Sequence, residues 1–148
     1  MIDPVVKITR IFDTIPERVF NAWLDPAMLE KWMFGPGVRD EDILHLKLDR
    51  KPGGRFSFLV KREGDEIDHI GRYLEIDPPR RLVFTWRIAG SEISAVTIEI
   101  EGDDRGSELM LTHLLHENWI DHLERTRQDW TLMLDKLGEA LRTNRPEE

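Results

Sequence analysis

The feature that most constrains the fold is a hydrophobic period of two that runs through the middle of the chain. Apolar and polar side chains alternate between residues 44 and 115, as in Leu44, Leu46 and Leu48, and this alternation is typical of half-buried β-strands. Turn sequences interrupt it at short intervals: Pro52-Gly53-Gly54, Gly64-Asp65, Asp77-Pro78-Pro79, Ala89-Gly90 and residues 102–106. Because short strands joined by tight turns pair as hairpins, this region predicts six antiparallel strands in a meander.

A long amphipathic segment follows these strands and needs an apolar partner. Residues 118–142 are predicted to form a helix, because apolar side chains recur at steps of three, four or seven: Ile120, Leu123, Trp130, Leu134, Leu137 and Leu141. The predicted sheet is the available partner, so we expect the helix to lie across it. The polar tail at residues 143–148 is expected to be frayed.

The N-terminal part predicts one further strand and two short helices. The strand covers residues 5–12 and the helices residues 16–24 and 26–32. Thr14 is the predicted N-cap of the first helix, in a capping-box pattern, and Asp25 is the predicted N-cap of the second. The run Phe34-Gly35-Pro36-Gly37 then breaks the helix. We therefore expect one domain over residues 1–148, with a core at about 5–142.

Length, charge and composition exclude several classes of protein. The chain has 148 residues and a formal net charge of −8, which argues against non-specific nucleic-acid binding, because that requires a basic surface. No apolar run approaches the roughly 20 residues that span a bilayer, so no membrane role is expected. The N-terminal residues lack the pattern of a secretory signal. Cysteine is absent, which excludes disulfides and fits a cytoplasmic location.

The order of elements, together with short motifs along it, resembles a known family. The motifs include Ile8-Thr9-Arg10-Ile11-Phe12, Pro16-Glu17-Arg18-Val19-Phe20, Pro52-Gly53-Gly54-Arg55-Phe56, Gly71-Arg72-Tyr73-Leu74-Glu75-Ile76, Leu82-Val83-Phe84-Thr85-Trp86 and Asp129-Trp130. The ordered set resembles the Hsp90-ATPase-activator homologue (AHSA1-like) family of the START-like, Bet v 1-like superfamily, over about residues 6–141. The resemblance implies an α+β helix-grip fold, in which a curved antiparallel sheet of about seven strands (β-α-α-β6-α) wraps around a long C-terminal helix.

The resemblance also implies a cavity between sheet and helix, lined by apolar side chains from both. Family members commonly carry glycine before the tryptophan of the last helix, where this chain has Asp129, so the space beside Trp130 is expected to be narrowed or reshaped. The candidate ligand-binding residues are Trp32, Phe34, Phe58, Tyr73, Trp86, His113, Arg127, Trp130 and Met133. We expect Trp86 and Trp130 to face each other across the gap, where they would stack against a flat ligand.

Several candidates have two interpretations. His113 is either a hydrogen-bonding or proton-transferring group at the inner end of the cavity, or a buried histidine with one ordinary partner. Arg127 either holds a ligand carboxylate, or lays its stem along the apolar stripe with its head in water. Trp32 and Phe34 either cover the entrance or plug the end of the sheet. Tyr73 and Glu75 share a strand face and would form a polar pair in the cavity if Glu75 does not lie at a solvated strand end.

Three functions remain open at this stage. The first is binding of a small hydrophobic or aromatic molecule. The second is a cyclase, dehydratase or hydrolase in which His113 acts with Tyr73 or Glu75, although no nucleophile motif occurs. The third is a chaperone-associated interaction module. The dispersed histidines predict no metal site, and no cofactor is expected. A sheet edge or the loop at residues 32–34 is a candidate surface for a homodimer.

Overall fold

The computed structural model describes residues 4–35, 38 and 41–143. The elements follow the predicted order of one strand, two short helices, six strands and a long helix. They are β1 (Val5–Phe12), α1 (Pro16–Asn21), α2 (Pro26–Trp32), β2 (Asp42–Leu48), β3 (Arg55–Arg62), β4 (Asp65–Asp77), β5 (Arg81–Ile88), β6 (Ser94–Asp103), β7 (Gly106–Leu114) and α3 (Leu123–Thr143). A 3-10 helix, Glu117–His122, leads into α3.

The seven strands form one antiparallel sheet in the order β1-β7-β6-β5-β4-β3-β2. Strands β2 to β7 form the meander predicted from their turns, and β1 pairs with β7 at one edge of the sheet. The α+β helix-grip architecture is therefore confirmed. Within the described residues, every helix is too short or too polar to span a bilayer.

The core lies between the sheet and one face of α3. Leu134 and Leu137 on α3, like Ile98 on β6 and Leu109 and Leu111 on β7, are completely buried. They belong to one apolar cluster that also includes α1 and α2 side chains. Each such side chain contributes about 2 kcal/mol when it leaves water. This burial holds α3 across the sheet.

The two short helices begin differently. Asp25 caps α2 as predicted, because its Oδ1 accepts a hydrogen bond from the backbone N–H of Ala27. The predicted capping of α1 by Thr14 is wrong. Ile15 occupies the N-cap position without a side-chain bond, and Thr14 Oγ1 instead accepts from the guanidinium of Arg18 at 3.0 Å. Helix α1 also ends at Asn21, three residues before the predicted end.

Two bulges change which side chains face the core. The register of β2 against β3 shifts between Ile43 and His45, so Ile43 packs against the core while Leu44 is 46% exposed. The register of β4 against β5 shifts between Tyr73 and Glu75. Because each bulge inserts one residue, the alternation shifts across it. Leu46 and Leu48 pack against the core as predicted, whereas the prediction that Leu44 shares their buried face is wrong.

Helix α3 begins at Leu123, five residues later than predicted. The preceding 3-10 helix is capped by His116, whose Nδ1 accepts from the backbone N–H of Asn118 at 3.1 Å. Ile120 is consequently 41% exposed and not part of the buried stripe. Beyond Thr143 the predicted frayed tail lies outside the described residues, as do Pro36 and Gly37 of the predicted helix-breaking turn.

Candidate functional site

A cavity of about 150 Å³ opens at one end of the interface between α3 and the sheet. Its side chains come from β4 to β7, from the 3-10 helix and from the first half of α3: His69, Trp86, Arg87, Ile88, Ser91, Glu92, Ser94, His113, Leu115, Trp119, Thr126, Asp129, Trp130 and Met133. A dry cavity of this size holds a benzene ring. Pockets for drug-sized molecules start at about 300 Å³, so the space fits one ring rather than a lipid or a polycyclic compound.

Two tryptophans from opposite layers form walls of this pocket. Trp86 on β5 and Trp130 on α3 face each other, as their strand and helix faces predicted. Their ring centroids are only 6.4 Å apart, which is the distance of rings in contact, so the cavity lies beside the pair and not between the rings. His69 on β4 extends the aromatic surface, with its ring 5.4 Å from that of Trp86. Its Nδ1 lies 3.1 Å from the carbonyl oxygen of Phe58, so Nδ1 carries the hydrogen.

His113 connects the helix to the sheet at the inner wall of the pocket. The indole N–H of Trp130 donates to His113 Nδ1 at 2.9 Å, and His113 Nε2 lies 2.8 Å from Ser94 Oγ. Since an indole can only donate, Nδ1 must carry a lone pair, and the hydrogen of the neutral imidazole is on Nε2. Ser94 Oγ in turn donates to the carbonyl oxygen of Trp86 at 2.6 Å.

The environment of His113 keeps its imidazole neutral. Burial lowers the pKa of His113 from 6.5 to about 4, because the charged form is costly away from water. A proton added at Nδ1 would also point at the indole N–H of Trp130 and break the hydrogen bond between them. At neutral pH the ring therefore has its lone pair and its hydrogen both engaged, which leaves no free nitrogen for general-base catalysis.

A carboxylate joins two segments at the mouth of the pocket. Glu92, in the loop between β5 and β6, accepts from the side-chain amide of Asn118 at 2.9 Å and from the indole N–H of Trp119 at 3.1 Å. These bonds, led by that from Asn118, hold the pKa of Glu92 below its ordinary value. Exposed Arg87 and Asp129 also line this end, so the rim is charged while the walls are aromatic.

The structure brings together four of the nine predicted ligand-binding residues. Trp86, His113, Trp130 and Met133 line the pocket. The other five do not line it: Trp32, Phe34, Phe58, Tyr73 and Arg127.

Four of these five fill the interior beside the pocket. Trp32 is fully buried and its indole N–H donates to the carbonyl oxygen of Ala22. The rings of Phe34 and Phe58 meet edge to face at 5.7 Å. Tyr73 packs on neighbouring phenylalanines, and burial raises the pKa of its phenol well above the usual range. These rings extend the solid core, as in the plugging alternative for Trp32 and Phe34.

Arg127 and Glu75 point away from the pocket. The guanidinium of Arg127 donates to the carbonyl oxygen of Lys7 at 3.2 Å and lies 3.6 Å from the carboxylate of Glu124. Glu75 is exposed beyond the β4 bulge and pairs with Arg81 at 2.7 Å. Of the two alternatives for Glu75, the solvated position is therefore confirmed, and the polar pair with Tyr73 in the cavity does not form.

Sequence reasoning missed His69, Ser94, Glu92 and Trp119 as members of the site. Alternation placed His69 on the same face of β4 as Tyr73, which was a usable signal. Nothing local marked the other three, because their positions depend on how the loop after β5 meets the 3-10 helix. Among the described ranges, no three metal-binding side chains come together.

The chain has a clear match among protein families. The family model described as "Activator of Hsp90 ATPase homolog 1-like protein" matches residues 13–142. No curated protein matches the chain.

Three solved structures have the same fold. Protein NE0264 from Nitrosomonas europaea superposes with a TM-score of 0.80 at 22% identity, over 95% of this chain and 96% of its own. Protein CV1439 from Chromobacterium violaceum gives 0.79 at 25% identity, over 92% and 95%. CalU16 from Micromonospora echinospora gives 0.71 at 25% identity, over 96% and 76%. The helix-grip fold is thus shared with proteins of low sequence identity.

Proposed function

The chain belongs to the family of Activator of Hsp90 ATPase homolog 1-like proteins, and from this premise we propose that its pocket binds a small apolar molecule of about one aromatic ring. The observation that carries the proposal is the cavity of about 150 Å³ that Trp86 and Trp130 help to line. Elsewhere in the described interior, the aromatic side chains pack against one another. A ligand therefore has a defined place and a defined size.

Aromatic walls and a polar inner end suit such a ligand. Offset or edge-to-face packing of aromatic rings contributes about 0.5–1.5 kcal/mol per pair beyond the burial of apolar area. For a ligand this small we expect a dissociation constant of about 0.1–1 mM. This range is sufficient for a metabolite present at similar concentration.

The alternatives from the sequence receive less support. An enzyme that uses His113 as a base would need its Nδ1 lone pair, which accepts from Trp130, and neither Tyr73 nor Glu75 lines the pocket. The chaperone-associated alternative rests on the family description, and no feature of the pocket favours it.

Filling the pocket tests the proposal. Leu115 is buried and lines the cavity, whereas its neighbour Leu114, at the end of β7, is exposed and does not line it. We expect Leu115→Phe to weaken binding of toluene at least about tenfold, since the added ring occupies the ligand's space, and Leu114→Phe to leave it unchanged. Binding is measured by calorimetry or ligand-observed NMR. Wild-type affinity in Leu115→Phe would refute the assignment of this pocket.

A further inference from the structure

The hydrogen-bond directions around Ser94 fix what this side chain can offer to a ligand. Trp130 donates to His113 Nδ1, so the His113 hydrogen is on Nε2 and points at Ser94 Oγ, 2.8 Å away. The Ser94 hydroxyl hydrogen points at the carbonyl oxygen of Trp86. A hydroxyl has one hydrogen and two lone pairs. Ser94 therefore has a single lone pair left, and it can only accept.

The other two hydroxyl groups that line the pocket also donate their hydrogens to backbone carbonyl oxygens. Ser91 Oγ donates to the carbonyl oxygen of Ile88 at 2.7 Å, and Thr126 Oγ1 donates to that of His122 at 2.9 Å. All three hydroxyls that line the cavity thus direct their hydrogens to backbone oxygens and present lone pairs. The carboxylates of Glu92 and Asp129 at the mouth add further acceptors.

The pocket has few free hydrogen-bond donors to set against these acceptors. The indole N–H of Trp119 is bonded to Glu92 and that of Trp130 to His113. Among the pocket-lining side chains in the described part of the chain, the indole of Trp86 and the guanidinium of exposed Arg87 are the donors without a hydrogen bond. A ligand that has only hydrogen-bond acceptors would therefore leave the remaining lone pair of Ser94 Oγ without a hydrogen bond.

We propose that Ser94 sets the specificity of this pocket and that its ligand carries an O–H or N–H group that donates to Ser94 Oγ. The inference rests on the proposed function and adds the ligand's chemical class, which is a ring-sized alcohol, phenol or amine. An aldehyde or ketone of the same size loses its water hydrogen bonds on entry and finds no donor at Ser94. An alcohol recovers a partner there, and its oxygen can also accept.

Two ligands of equal size, one a hydrogen-bond donor and one only an acceptor, test this proposal. Benzyl alcohol and benzaldehyde have equal numbers of non-hydrogen atoms, and one donates while the other only accepts. A net hydrogen bond is worth about 0.5–1.5 kcal/mol, so we expect the wild-type chain to bind the alcohol about three- to tenfold more tightly. Equal affinity, or tighter binding of the aldehyde, would overturn the proposal without any need for a variant.

Ser94→Ala supplies the second arm. It removes the acceptor and frees the Nε2 hydrogen of His113, so the ratio of the two affinities is expected to fall to about one or to favour the aldehyde. Ser107→Ala is the matched control, because Ser107, although more buried than the half-buried Ser94, also donates to a backbone oxygen, that of Thr14, and lies outside the pocket. It is expected to keep the wild-type ratio.

The outcomes distinguish this inference from the proposal on which it rests. A Ser94→Ala protein that still prefers the alcohol would overturn the role of Ser94, while binding of both compounds would uphold the pocket. If toluene binds but the alcohol has no advantage, the ligand class is wrong and the pocket stands. If no ring-sized compound binds, the proposed function fails, and the inference fails with it.

Discussion

The indole N–H of Trp130 donates to Nδ1 of His113 across 2.9 Å, in the buried wall of the pocket. This bond joins α3 to β7, so it contributes to holding the helix on the sheet. It also sets the tautomer of His113 and, through it, the acceptor role of Ser94. One contact therefore links the stability of the fold to the chemistry of the site.

The first prediction concerns pH. Burial lowers the pKa of His113 to about 4 in the folded chain, against 6.5 ordinarily. The unfolded chain therefore takes up a proton as the pH falls through 6.5, while the folded chain stays neutral until about 4. This contribution to stability is present above pH 6.5 and is lost on the way to pH 4. We expect the loss of this contribution to lower the free energy of unfolding by about 2 kcal/mol as the pH falls from 7 to 5.

Urea unfolding at several pH values measures this effect, with His113→Asn as the control. Asparagine can still accept from Trp130 and does not titrate, so the difference in stability between wild type and variant should shrink as the pH falls. Parallel pH dependences in the two proteins would show that His113 is not kept neutral by the fold.

The second prediction compares two neighbouring tryptophans. Trp23 and Trp32 are both buried and in contact, with ring centroids 4.6 Å apart. The indole N–H of Trp32 donates to the carbonyl oxygen of Ala22 at 3.0 Å, whereas that of Trp23 has no hydrogen-bond partner in the described structure. An unmatched buried donor costs about 1–3 kcal/mol. Replacement by phenylalanine removes the same atoms from each residue and should therefore affect the two sites differently.

We expect Trp32→Phe to lower the free energy of unfolding by about 1–3 kcal/mol more than Trp23→Phe. Chemical denaturation of the two variants gives the comparison directly. If Trp23→Phe were the more damaging change, the different hydrogen bonding of the two indoles would have no energetic consequence.

The third prediction uses one substitution at two glycines. A Cβ at Gly71 would lie 2.0 Å from the carbonyl oxygen of Thr85 and 2.4 Å from the ring of Phe56, so Gly71→Ala is expected to destabilise by about 3 kcal/mol or more. Gly138 is in α3, where the nearest atom would be 3.6 Å away. Gly138→Ala is expected to stabilise by about 0.5–1 kcal/mol, because alanine favours the helix.

Thermal unfolding of both variants tests this pair. Opposite shifts of the melting temperature are expected. A tolerated alanine at position 71 would mean that β4 and β5 do not approach each other as closely as the structure has them.

Patterns that depend on near neighbours along the chain predicted the architecture well. The alternation of Leu82, Phe84 and Trp86 was enough to place a strand with those residues on its buried face. The steps between Trp130, Leu134 and Leu137 were enough to place the buried face of α3. Both features repeat with the geometry of the element itself, so no tertiary information was needed.

Features that depend on register or on distant segments could not be predicted in this way. The bulge at Leu44 arises from pairing with β3, so alternation alone assigned Leu44 to the wrong face. The bulge before Glu75 arises from pairing with β5, so alternation alone left the position of Glu75 open. In the site, Trp86 and Trp130 were found from their own elements. Glu92 and Trp119 meet through a contact between positions 27 residues apart, and their local sequences carry no sign of it.

The central claim is that a ring-sized ligand enters the cavity lined by Trp86 and Trp130, and the most direct measurement uses the indole N–H signals of the five tryptophans. In a 15N-labelled protein titrated with toluene, the signals of Trp86, Trp119 and Trp130 should shift in a saturable manner. Those of Trp23 and Trp32, which do not line the pocket, should shift less. Absence of saturable shifts, or shifts largest at Trp23 and Trp32, would contradict the account.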